Sequence, residues 1–147
     1  EWEIPVPEME TSVFIIPARK VKNRQDRLVI LNRAAKAVVD EMRGLHPEYV
    51  FTYKGKRVGS MNTKAWRNAR QRADLPQVRV HDLKHTFGRR LRAAGVSYED
   101  RQDLLGHKSS RITTHYSKPE IENLVAAANR VCEKDWHKTG TIVKPTT

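Results

Sequence analysis

The chain has a single cysteine, Cys132, in 147 residues, so no internal disulfide is possible and a reducing cytosol is the natural setting. Long apolar runs are missing as well. The longest, residues 12–18, is strand-sized and falls far short of the roughly 20 residues that a membrane-spanning helix needs. The opening residues, Glu1-Trp2-Glu3-Ile4, lack the basic-then-apolar order of a secretory signal. Acidic residues are scarce where basic ones crowd. Between Lys54 and Arg92 stand twelve Lys or Arg and only two acids, Asp74 and Asp82.

What is present describes a soluble globular chain, with 38% hydrophobic and 31% charged residues. The length suits one domain, or a large piece of one. Net charge is +11, from 28 Lys+Arg against 17 Asp+Glu. A concentrated basic surface favours nucleic acid, because binding releases condensed counterions. A solvated charged face explains the same excess. Charge therefore gives a class of partner and no reaction.

The pattern predicts an α+β domain, mostly helical, with a small antiparallel sheet near the N-terminus. Residues 11–31 read as a β-hairpin of two apolar runs, with Arg19, Lys20, Lys22 and Arg24 at its tip. Asn32 reads as the N-cap of a helix in which Ala35, Val38, Val39 and Met42 follow at helical spacing, and Gly44 stops it. Residues 49–53 are a strand candidate. A second helix is expected over 62–74, with Trp66, Ala69 and Ala73 inward, and a third over 82–94, buried along Leu83, Phe87, Leu91 and Ala94. Ser97 and Asp100 resemble a capping box for a fourth helix over 98–105. A short helix over 110–115 and a longer one after Pro119 complete the expected fold, with a frayed tail from 137.

Three polar clusters follow one another: His81-Asp82-Leu83-Lys84-His85-Thr86-Phe87, Leu104-Leu105-Gly106-His107, and Thr114-His115-Tyr116-Ser117. His81 and Lys84, three apart, share a helix face. His107 follows a glycine at a helix end, where a side chain projects. His81 and His85 have zinc-compatible spacing, but no glutamate of a metalloprotease helix stands between them, and the surrounding cations repel a dication. Serine-hydrolase and cysteine-protease readings lack an elbow motif and a suitable cysteine. Cations, imidazoles and a phenol in a basic protein suit a phosphodiester.

These blocks resemble the signature of the tyrosine recombinase, or phage integrase, family: His-x-x-Arg-His-Thr, Leu-Gly-His and a nucleophilic tyrosine, at similar intervals. Val21-Lys22-Asn23 and Arg27-Leu28-Val29-Ile30-Leu31 resemble the family's lysine-bearing β-hairpin. The likeness runs from about residue 14 to residue 127 and implies the integrase catalytic fold. It also implies that Tyr116 attacks the scissile phosphate to leave a 3′-phosphotyrosyl bond, and a phenol of pKa near ~10 needs help in losing its proton. His81 would act as base or hydrogen-bonding partner, Lys84 would stand at the second arginine's position, and His107 would bond a non-bridging oxygen. Lys22 would be the acid that protonates the leaving 5′-oxygen. Lys20, Arg67, Arg70, Arg89, Arg90 and Lys108 are expected contacts to the DNA backbone. Double-stranded DNA and a tetramer of protomers on it are the implied partners, with no metal, small-molecule cofactor or membrane. The implied setting is the cytoplasm and nucleoid of a bacterium or its phage.

Two departures stand out. Lys84 keeps the charge of the family's second arginine but loses its planar, bidentate grip. The family's first arginine should precede the hairpin, and no arginine stands before Thr11. The expected organisation is therefore a partial catalytic domain over residues 1–136, lacking the first-arginine segment, with a flexible tail over 137–147. The loss of one phosphate clamp is worth about 3–4 kcal/mol of barrier, so such a piece is expected to be weak or inactive alone.

Each residue also has a duller reading. Taken singly, Tyr116 is an ordinary half-buried tyrosine, His81 and His107 are hydrogen-bonded core histidines, and the arginines are solvated charges. His85 reads as a buttress, Trp66 as core, and Cys132 as inert packing on the last helix. Lys20 competes with Lys22 for the hairpin role. A DNA-binding module without catalysis is the alternative that Lys84 keeps open. A basic RNA-binding protein accounts for the charge but not for the ordered blocks.

Overall fold

The computed structural model describes residues 3–22, 24–61, 63–107 and 116–133. The fold is α+β, with a small N-terminal antiparallel sheet and a helical body. The sheet has three strands in the order β1 (Glu3–Val6), β2 (Thr11–Ile16), β3 (Arg27–Ile30). The two expected strands pair with Val13 opposite Ile30 and Ile16 opposite Arg27. The third, β1, was not expected, since Pro5 interrupts its run. It lies at the sheet edge, where a missing N–H is tolerated. Thr11 donates its hydroxyl to the Leu31 carbonyl at 2.7 Å, and Ser12 donates to Glu3 at 2.6 Å.

Helix α1 (Arg33–Glu41) starts at the Asn32 cap, whose Oδ1 accepts from the Ala35 N–H at 2.9 Å. The expected strand over 49–53 shrinks to β4 (Thr52–Tyr53), paired with β5 (Lys56–Arg57). Lys54 and Gly55 both have positive φ, as a tight two-residue hairpin turn requires. Helix α2 (Lys64–Arg72) is capped by Thr63, which accepts from the Trp66 N–H at 3.1 Å.

Helix α3 (Val80–Ala93) begins two residues before the expected start. Asp82 lies inside its first turn and its carboxylate takes the Arg79 backbone N–H at 2.9 Å and the Arg79 guanidinium at 3.1 Å. The α3 C-terminus closes through Gly95, and the following Val96 is buried beside Leu91. Ser97 caps α4 (Tyr98–Leu105), accepting from the Asp100 N–H at 3.0 Å.

Helix α5 (Lys118–Glu133) is the central post, packed against α1, α3, α4 and β3. Its Leu124, Val125, Ala127, Ala128 and Val131 are buried, and Leu91 of α3 is fully enclosed against this face. Burial of the Leu and Val side chains among them contributes roughly 1.5–3 kcal/mol each by leaving water, and each alanine methyl about 0.8 kcal/mol. Cys132 packs against the same cluster. Glu120 accepts from the Ser117 N–H at 2.7 Å at the helix start, and Lys118 pairs with Glu8 beside the sheet. Asn129 accepts from the Arg33 N–H at 2.8 Å and so ties α5 to α1.

Leu83, expected in the buried stripe of its helix, faces out instead at 49% exposed, and Val38 of α1 is 46% exposed. Ala73 is exposed as well, while Trp66 is half-buried. The expected short helix over 110–115 and the tail over 137–147 lie outside the described residues.

Candidate nucleic-acid interface and active site

One face of α3 presents His81, Lys84, His85, Gly88, Arg89 and Arg92 to a hollow of about 280 Å³. Arg101, Leu105 and His107, from α4 and the turn after it, close its other side. Among the described residues no carboxylate lines it. Gly88 sets the spacing of the two walls, since a β-carbon there would stand 3.1 Å from Leu105 Cδ1. The hollow is therefore a basic recess between two helices in direct contact.

His107 owes its position to the way α4 ends. Gly106 adopts a left-handed conformation at φ +59°. Its N–H reaches the Asp103 carbonyl at 3.0 Å, and the His107 N–H reaches the Gln102 carbonyl at 2.9 Å. This is a Schellman closure, and it throws the side chain after the glycine clear of the helix. Desolvation pushes the His107 imidazole below its ordinary pKa, and the charges of Lys84, His85 and Arg27 push the same way. The His81 and His85 rings meet edge to face at 4.6 Å. Asp82, one residue from His81, is held by Arg79 with its pKa lowered to about 2.

Tyr116 sits on the non-helical residues just before α5 and is half-buried. Burial pushes its phenol above the ordinary value, and the carboxylates of Asp103 and Glu120 add to that. It does not line the hollow. Lys22 is exposed on the loop between β2 and β3, which Asp26 closes by accepting the Ala18 N–H at 2.7 Å. Neither Lys22 nor Lys20, which ends a 3₁₀ turn over Ala18–Lys20, lines the hollow.

The fold thus gathers His81, Lys84 and His107, and with them His85 and Arg89, while Lys22 and Tyr116 stand outside that wall. Arg67 is exposed on α2. Arg70 is occupied within the fold, donating to the carbonyls of Pro76 and Val78 at 2.8 and 2.6 Å and stacking on Trp66. Arg90 lines a separate groove with Leu83 and Phe87 on another face of α3. Lys108 lies outside the described residues.

Two further cations, Arg92 and Arg101, line the recess, and a third, Arg27, lies against Gly106. Arg92 lies eleven residues past His81 and falls on its helical face, so the spacing carried a signal. Arg101 is four residues before Leu105 and shares its side of α4. Arg27 has no local signal, because it reaches Gly106 from β3 across the fold.

A family model described as the phage integrase family matches residues 3–123. The chain is 28% identical over 144 residues to the integrase of Salmonella phage P22, covering 89% of this chain and 37% of that protein. It is 27% identical over 132 residues to a XerC-like tyrosine recombinase of Caldanaerobacter subterraneus, covering 86% of this chain and 32% of that protein. Against the tyrosine recombinase XerC of Rickettsia peacockii it is 40% identical over 53 residues, covering 35% and 17%. The chain spans about a third of the length of the first two. No solved structure matches it.

Proposed function

Since this chain belongs to the phage integrase family, we propose that it serves site-specific DNA recombination, cutting and rejoining strands through a covalent bond between Tyr116 and a 3′-phosphate. The observation that carries this reading is the recess where His81, Lys84 and His107 converge with no carboxylate in its lining among the described residues. Such a recess attracts a phosphodiester and stabilises the charge that grows on its oxygens during attack.

In this reading a backbone phosphate enters the recess and its non-bridging oxygens accept from His107 and Lys84. His81 takes the phenolic proton as Tyr116 attacks phosphorus. The 5′-oxygen leaves with a proton from Lys22, carried in on the loop between β2 and β3. The phosphotyrosyl bond retains the energy of the broken ester, so a second DNA end reverses the step without ATP. At rest the phenol is half-buried, and burial first, then the charges of Asp103 and Glu120, raise its pKa further above the ordinary value. Attack therefore requires it to leave that acidic neighbourhood for the basic recess. Assembly as a tetramer on two duplexes belongs to the same proposal.

A second reading, a DNA-binding module without catalysis, draws on Lys84, which lacks the bidentate geometry of a guanidinium. One experiment separates the two. The protein at its full natural length is incubated with nicked suicide DNA, which traps the covalent intermediate. An adduct that disappears in Tyr116→Phe is the expected result. An adduct that survives that substitution removes the assignment of the nucleophile, and DNA binding with no adduct favours the module.

A further inference from the structure

Gly106 carries a neighbour that its role in ending α4 does not explain. A β-carbon built on it would stand 2.7 Å from both Cζ and a terminal nitrogen of Arg27, and 2.8 Å from Arg27 Nε. The guanidinium therefore lies against the glycine through its Nε, Cζ and one terminal nitrogen. Arg27 begins β3, opposite Ile16, at the root of the loop that carries Lys20 and Lys22. Asp26, its immediate neighbour, closes that loop onto Ala18. Arg27 makes no salt bridge with a carboxylate among the described residues. The C-terminal end of a helix carries partial negative charge, which suits a cation at that place.

We infer that Arg27 is a positioning residue, one that locks the root of the lysine-bearing loop onto the turn presenting His107, and that glycine stands at 106 partly to admit its guanidinium. The inference rests on the integrase reading for its functional consequence and on geometry alone for the contact. Two groups with separate roles in that reading, Lys22 and His107, stand on separate segments of the chain, and the Arg27 side chain bridges the root of the one to the turn that carries the other. A flat guanidinium rests on a bare backbone in a way that an ammonium does not. Reacting groups displaced by about 1 Å lose on the order of a hundredfold in rate, so such a lock matters to catalysis without touching the phosphate.

The test uses Arg27→Ala, Arg27→Lys and Gly106→Ala in the protein at its natural length. Single-turnover adduct formation at saturating DNA is expected to fall by roughly ten- to a hundredfold in Arg27→Ala. DNA affinity is expected to fall no further than in Arg33→Ala, an exposed cation on α1. Arg27→Lys is expected to restore the charge but not the rate. Histidine NMR titration without DNA reads the contact independently of catalysis. His107 should titrate higher in Arg27→Ala and return in Arg27→Lys, against the unchanged background of Lys84, His81, His85, Arg89, Arg92 and Arg101. A double-mutant cycle on the denaturation midpoint completes the test, since the strain of alanine at φ +59° is common to both backgrounds and cancels. Gly106→Ala should cost less when Arg27 is already alanine. Equal cost in both backgrounds, or wild-type adduct formation by Arg27→Ala, overturns the inference. Absence of an adduct in the wild type counts against the integrase reading, while the titration and the cycle still decide the contact.

Discussion

The carboxylate of Asp103 acts on the phenol of Tyr116 from α4, reinforcing the burial that already opposes its ionisation. The native phenol therefore keeps its proton above the usual pH near ~10. Because the folded value is raised, this contribution to stability is intact below the unfolded value and is lost as the pH climbs through the folded one. Asp103→Asn should lower the midpoint of Tyr116 ionisation without bringing it to the ordinary value, since burial is the larger cause. Phenolate absorbance, corrected with Tyr116→Phe, measures it, and an unchanged midpoint would refute the electrostatic link.

A different titration governs the start of α3. Asp82 is held at about 2 by Arg79, below its ordinary 3.8. With the folded value depressed, the stabilisation is present above the unfolded pKa and disappears as the pH falls toward 2. Asp82→Asn should therefore be less stable than the parent at neutral pH, with the two converging in acid. Urea denaturation at several pH values checks the convergence. A gap that persists in acid would point to lost capping alone.

At Lys84 the question is how much an ammonium contributes in the basic recess. Lys84→Ala should lower the rate of adduct formation by about 10²–10³, the usual cost of one preorganised donor. Lys84→Arg should retain an adduct. Single-turnover cleavage of nicked DNA measures both, and equal rates for alanine and wild type would take Lys84 out of the site.

Leu91 is wholly enclosed between α3 and α5. Leu91→Ala should destabilise the protein by about 2–5 kcal/mol, combining lost transfer energy with the cavity left behind. Chemical denaturation gives the value directly, and a cost well under 1 kcal/mol would mean that the site collapses or is wetter than its packing indicates.

Helical periodicity made α3 and α5 legible in the sequence, while α4 came out at Tyr98–Leu105 as expected because Ser97 and Gly106 bracket it. Periodicity identifies an apolar stripe but does not say what covers it, which is why Leu83 and Val38 face outward. β1 was hidden by Pro5, whose usual meaning is reversed at a sheet edge. For the site, the residues on α3 and on the α4 turn were legible because local spacing brings them together. Arg27 was not, since its contact with Gly106 joins segments 79 positions apart.

Lys118, bound to Glu8, and Ser117, held by Glu120, fix the chain immediately beyond the candidate nucleophile. Two residues of backbone reach at most about 7 Å, so Tyr116 is on a short leash hung from the top of α5. Any stroke it makes is an arc about that pivot. The centre of that arc is set by where the post stands, so a tilt of α5 retargets the hydroxyl even when every side chain in the recess stays still.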